Sequence, residues 1–165
     1  MSEVMILGAA RTPMGGFQGE FEGVEASTLG GVAIAAAHRE AGKPALDEVL
    51  MGCVLPAGQG QAPARQAGFA AGLGETVPAT TINKMCGSGM KAAMMAFDRI
   101  ALGQAGAILA GSTSLRNTQT VQAALNKTPA PVTDQNTMRH WLGSELSITN
   151  AAYPPKSNLP KKPGK

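Results

Sequence analysis

Two rhythms of apolar and polar residues alternate over the first 110 residues. Val4–Ala10 is a short apolar run closed by Arg11-Thr12-Pro13, which predicts a buried strand. Residues 14–26 are rich in Gly and Glu and predict a loop. Thr28–Ala41 predicts a helix, with Leu29, Val32, Ala33 and Ala36 on one face, Ser27 as its N-cap and Gly42 at its stop. Val49–Leu55 predicts a second strand, ended by Pro56 and Gly58. Ala62–Gly72 predicts a helix with Pro63 in its first turn. Ala79–Met85 carries β-branched residues and predicts a third strand. Gly87–Leu102 predicts a helix, broken at Gly103, and Ala107–Ala110 predicts a fourth strand. On the Gly87–Leu102 helix, Met90, Ala93, Met94, Phe97 and Ala101 recur at helical spacing and Ile100 extends their face. That stripe is expected to face the core, with Met as filler. Strands alternating with helices predict an α/β layered domain with a mainly parallel sheet.

The alternation fails after Gly111. From Ser112 the chain is rich in Thr, Asn, Gln, Ser and Pro, with sparse apolar residues. Leu142, Leu146 and Ile148 could form a short turn beside Trp141. Tyr153–Lys165 holds four prolines and four lysines, a composition that predicts disorder. Charge divides at the same place: residues 1–110 balance at −2 and residues 111–165 at +5. Two segments are therefore expected: an ordered one over 1–111, and a polar, basic, largely disordered tail over 112–165. A basic tail could touch nucleic acid, but a solvated one is the simpler reading.

Composition narrows the class. Aromatic residues are only 4% while Gly and Ala abound, which favours close approach of backbones over a core built on rings. Neither Cys53 nor Cys86 has a partner at metal-ligand spacing, and two cysteines make no secreted disulfide framework. The opening residues lack the basic start of a signal peptide, and no run approaches 18 apolar residues. A reducing, cytoplasmic setting is expected, with no metal, no membrane and no nucleic-acid partner.

Chemistry concentrates in Val77–Ala92, VPATTINKMCGSGMKA. A strand is expected to end at Met85, Cys86 to sit on the turn, and Gly-Ser-Gly to open a helix. Free amide N–H groups and the macrodipole at a helix start favour negative charge. A thiol set there has a raised thiolate fraction and is suited to attack a thioester carbonyl. Gly87 and Gly89 are expected to leave room for an acyl group and for the tight turn. On geometry alone, a buried structural cysteine is the competing reading. Cys53, inside the apolar strand LMGCVL, reads as a small buried hydrophobe. Lys84 and Lys91 flank Cys86 and could steady a thiolate, although a lysine at a strand end usually just faces solvent. The stretch Gly58–Ala64, GQGQAPA, follows a strand and opens a helix, but it lacks the last glycine and the later acid of a dinucleotide fingerprint. It reads as a structural and subunit-contact segment, with Arg65 pairing an acid or binding carbonyls.

NKMCGSGMKA resembles the nucleophile motif of the thiolase family, which includes the acetyl-CoA acetyltransferases. ILGAARTP is similar to that family's first strand, DEVLMGCVLPAGQGQAPARQAG to its second strand and following helix, and GQAGAILAG to the strand after the nucleophile helix. The resemblance is ordered and almost continuous over residues 3–111. It implies a five-layered α/β/α/β/α architecture of two similar halves, incomplete in this chain. It implies acyl transfer between CoA thioesters, by acetoacetyl-CoA formation or 3-ketoacyl-CoA thiolysis, through an acyl-enzyme on Cys86. It also implies a homo-oligomer and no permanently bound cofactor, CoA thioesters being the substrates.

Three further family motifs are absent from the chain: Gly-His-Pro, which activates the nucleophile, Cys-x-Gly-Gly-Gly, the acid/base, and Asn-Glu-Ala, which orients an oxyanion-hole water. His38 and His140 match neither the sequence nor the setting of the family histidine. Gly111-Ser112-Thr113-Ser114 stands where the family has Gly-Gly-Met-Glu-Ser. A truncated, frameshifted or misjoined gene, or a natural fusion, is the expectation, with weak or no activity for the chain alone. A ketoacyl-synthase-like condensing enzyme and a non-catalytic fragment are the alternatives; ARTP, GQGQAPARQ and NKMCGSG favour thiolase over the former.

Overall fold

The computed structural model describes residues 3–13, 15, 19–113 and 121–127. Its elements run β1 (Val4–Arg11), α1 (Ala26–Glu40), β2 (Glu48–Gly52), α2 (Pro63–Ala70), β3 (Ala79–Ile82), α3 (Ser88–Ala101), β4 (Ala107–Ser112) and β5 (Val121–Lys127). The strands form one sheet in the order β1-β5-β4-β2-β3. β4, β2 and β3 pair in parallel. β5 lies antiparallel between β1 and β4.

β2 and β4 are buried on both faces, as connections through helices require, while β3 at the sheet edge is half-buried with Thr80 exposed. The period of two still sorts their side chains. Val49 and Met51 of β2 and Leu109 of β4 face α1 and α2, against Ile34, Ala37, Ala64 and Ala67. Leu50, Ile108 and Ala110 face α3, against Ala92, Ala96 and Ile100. Each large apolar side chain so covered contributes roughly 2 kcal/mol. The result is a sheet with a helical layer on each side, so the expected α/β class and mainly parallel sheet are found.

Small residues set the spacing between layers. A Cβ added to Gly31 of α1 would lie 2.5 Å from Ala70 Cβ of α2, so these helices nearly touch at the backbone. Polar groups tie the elements at their ends. Glu48, 6% exposed, accepts a hydrogen bond from Thr80 Oγ1 at 2.8 Å and pairs with Arg99 of α3. Asp47 accepts the N–H groups of Ala107 at 3.0 Å and Gly106 at 2.6 Å. Those two bonds hold its carboxyl below the usual aspartate range.

Four sequence expectations are corrected. Ser27 does not cap α1: the helix starts at Ala26 behind Glu25, and Ser27 is buried inside it. The second and third strands are shorter than expected, ending at Gly52 and Ile82. The stripe Met90, Met94 and Phe97 faces away from the sheet, with exposures of 70%, 53% and 52%, while Ser88, Ala92, Ala96 and Ile100 face it. α3 lies close to the sheet, with small residues and Ile100 beneath it and half-buried Met95 packed at their side. The backbone pattern also continues past Gly111: β4 reaches Ser112, and Val121–Lys127 of the expected disordered tail pairs on both sides as β5. Backbone pairing with two neighbours places it. The expected turn beside Trp141, His140 and the Pro/Lys-rich end lie outside the described residues.

Candidate active site

β2, β3 and β4 all end on one edge of the sheet, and the link from β3 to α3 crosses that edge. Residues 83–87 connect β3 to α3 through a tight turn at Met85, Gly87 is the N-cap of α3, and Cys86 precedes it. Cys86 is exposed, whereas Cys53 at the end of β2 is 1% exposed. The start of α3 has no side-chain cap and no acidic residue in its first turn. The positive end of the helix therefore has no built-in counter-charge beside Cys86.

The turn is closed by its own hydrogen bonds. Gly87 N–H donates to Lys84 C=O at 3.0 Å, and Ser88 N–H donates to Met85 C=O at 3.1 Å. The Ser88 hydroxyl donates to Met85 C=O at 2.6 Å and accepts Lys84 N–H at 2.9 Å. Asn83 Oδ1 accepts Met85 N–H at 3.0 Å, and Asn83 Nδ2 donates to Val54 C=O at 3.2 Å. Met85 itself sits at φ +47, in the left-handed region. The tight bend expected of a glycine is made by the residue before the cysteine.

Two glycines seat α3 on the sheet. A Cβ on Gly52 would lie 2.6 Å from Ser88 C and 2.7 Å from Gly89 N, inside any permitted contact. A Cβ on Gly89 would lie 2.9 Å from Ser112 Cβ. Gly89 is therefore needed for packing against β4, not for acyl room. Gly87 is the open one, where a Cβ would meet only Lys84 O at 3.5 Å. Gly52 is held in turn by Thr113 N–H on its carbonyl at 2.9 Å, with Cys53 N–H on Ile82 C=O at 2.9 Å beside it.

The GQGQAPARQ segment is used internally. Ala62 at φ +50 starts α2, with Pro63 as its first residue. Arg65 donates to the carbonyls of Val77 and Glu75 and lies 4.8 Å over the Phe69 ring, so the carbonyl-binding reading holds. Gln66 Nε2 donates to Gln59 C=O at 2.9 Å and Gln61 C=O at 2.6 Å. Gln59 Nε2 reaches Cys53 Sγ at 3.3 Å. His38 Nε2 bonds Pro44 C=O at 2.9 Å, at the far end of α1. Lys84 is exposed at the turn. Among the described residues no group of three or more His, Cys, Asp or Glu could hold a metal ion, and no helix is long and apolar enough to cross a membrane.

Sequence reasoning singled out Cys86 but missed Asn83, Ser88, Met85 and Gly52. Asn83 was detectable, because an Asn two residues ahead of a turn amide commonly bonds it. The roles of Gly52 and Ser88 depend on a contact between elements that local sequence does not encode.

Comparison with known proteins gives one family. The family model described as thiolase, N-terminal domain, matches residues 4–150 and so continues past Gly111. The chain is 51% identical over 113 residues to acetyl-CoA acetyltransferase B, mitochondrial, of Xenopus laevis, covering 67% of this chain and 27% of that protein. It is 52% identical over 113 residues to the acetyl-CoA acetyltransferase of Cupriavidus necator, covering 67% and 29%. It is 41% identical over 148 residues to a probable acetyl-CoA acetyltransferase of Escherichia coli, covering 88% and 35%. The chain thus spans between about a quarter and about a third of the length of these relatives.

Proposed function

The chain belongs to the thiolase family through its N-terminal domain, and from that premise we propose that Cys86 accepts an acyl group from a CoA thioester. The observation that carries this reading is the exposed sulfur on a hydrogen-bonded turn, one residue ahead of the uncapped start of α3. The thiolate attacks the thioester carbonyl carbon, a new carbon–sulfur bond forms, and the bond to the CoA sulfur breaks. CoA leaves as the thiolate and takes up a proton, and the acyl group stays on Cys86. In the complete reaction the acyl group passes either to the α-carbon of a second acetyl-CoA, giving acetoacetyl-CoA, or back to CoA after cleavage of a 3-ketoacyl-CoA. These steps connect the protein to fatty acid metabolism, and a reducing compartment such as the cytoplasm would keep both thiols free.

The outward face of α3 supports a role within a larger assembly. Met90, Met94 and Phe97 form an apolar strip of the kind that contiguous contact normally covers. In a five-layered thiolase, a second similar half would supply that cover along with the three motifs this chain lacks. Pairing of identical chains into an oligomer belongs to the same reading.

The test is acyl capture. The chain is incubated with acetyl-CoA, quenched in acid, and mapped by mass spectrometry. One acetyl group is expected on the peptide holding Cys86, none on Cys53, and none in the Cys86→Ala variant. Acetyl on Cys53 alone, or none on a folded chain, would overturn the reading.

A further inference from the structure

Met85 lies in the left-handed region at φ +47, and its side chain is 70% exposed. Burial of its own side chain therefore does not hold it in a conformation that residues with a Cβ avoid. Hydrogen bonds hold it instead, one set at each end of the residue. Its carbonyl receives the Ser88 N–H at 3.1 Å and the Ser88 hydroxyl at 2.6 Å, and Ser88 is 2% exposed and fixed above Gly52. Its N–H is taken by Asn83 Oδ1 at 3.0 Å. The other half of the Asn83 amide donates to Val54 C=O at 3.2 Å, in the loop after β2. That loop is braced by Gln59 on Cys53 Sγ at 3.3 Å and by Gln66 of α2 on Gln59 C=O at 2.9 Å.

We propose that Asn83 is a positioning residue for the nucleophile: its carboxamide holds Met85 left-handed and so fixes Cys86 at the start of α3. This rests on the reading of Cys86 as the acyl acceptor. Without the Asn83 acceptor, Met85 relaxes to ordinary backbone, and Cys86, next in the chain, turns away from the start of α3. Glycine adopts positive φ without a Cβ penalty, so a glycine at position 85 should make Asn83 dispensable.

The test measures the iodoacetamide alkylation rate of Cys86 by peptide mapping in the full chain. Asn83→Ala is expected to slow it roughly tenfold, in line with the bias against left-handed backbone. The Asn83→Ala/Met85→Gly double variant is expected to alkylate within about threefold of Met85→Gly alone. Cys53 protection is read in the same digest as a check on the fold. If Asn83→Ala also exposes Cys53, Asn83→Ser replaces it; its uncharged hydroxyl can still accept the Met85 N–H, and its rate should lie between those of Asn83→Ala and the native chain. A native rate in Asn83→Ala, a slowed rate that Met85→Gly does not restore, or an Asn83→Ser rate as slow as that of Asn83→Ala would each overturn the proposal. These ratios report only where the sulfur is held. Failure of acetyl capture with the ratios intact would count against acyl transfer alone.

Discussion

Replacing Gly52 with Ala is expected to lower the melting midpoint by roughly 10 °C and to remove the distinctive reactivity of Cys86. The added methyl group would stand 2.6 Å from a backbone atom of Ser88 and 2.7 Å from one of Gly89, so no side-chain rotation relieves it. Gly52 cannot retreat, because its carbonyl is bonded to Thr113 and β2 is paired to strands on both sides. The start of α3 must therefore lift, at a cost of about 1–3 kcal/mol or more. Lifting it carries Ser88 away from Met85 and releases the turn that presents Cys86. Gly87→Ala is the matched control. It adjoins the cysteine, yet its Cβ would meet only Lys84 O at 3.5 Å, and its φ of −92 suits any residue. Thermal melts of the two variants, with Cys86 alkylation read alongside, check the contrast. Equal melting midpoints for both would refute the seating of α3 on Gly52.

The second large effect concerns turnover. The 165 residues by themselves are expected to cleave acetoacetyl-CoA at least about a hundredfold more slowly than a complete thiolase, since one missing oxyanion donor already costs that much. Fast attack by Cys86 needs a base for the thiol and donors for the developing oxyanion, and the later steps need an acid/base for departing CoA. The family draws these from Gly-His-Pro, Cys-x-Gly-Gly-Gly and Asn-Glu-Ala, and none of the three occurs in the chain. His38 is no substitute, because its ring is engaged with Pro44 at the opposite end of α1 from the turn. A steady-state assay following loss of the acetoacetyl-CoA absorbance checks this. Turnover within tenfold of a complete enzyme would contradict it.

Much of this architecture was legible in the hydrophobic pattern, because strands and helices here alternate with short, glycine-marked breaks. What was not legible lies in contacts between elements. Periodicity placed Met90, Met94 and Phe97 inward because large apolar residues usually seek a core, yet Gly52 and Gly89 bring α3 so near the sheet that Ala92 and Ala96 take that position. Ser27 carries a capping hydroxyl, but α1 starts one residue earlier and buries it. β5 lies in a stretch whose overall composition is polar, and the two strands beside it fix its place. At the site, Cys86 stood out because Cys-Gly-Ser-Gly opens a helix, and of the two roles read for Arg65, ion pairing or carbonyl binding, the second is found. The left-handed Met85 was invisible because methionine gives no hint of positive φ.

The central claim is that one sulfur is presented for attack while the other is shut in the sheet. Competitive alkylation of the native chain with limiting iodoacetamide tests it most directly. Cys86 is expected to react at least about a hundredfold faster than Cys53, which becomes reachable only when β2 opens locally. Equal rates, or prior labelling of Cys53, would contradict the account.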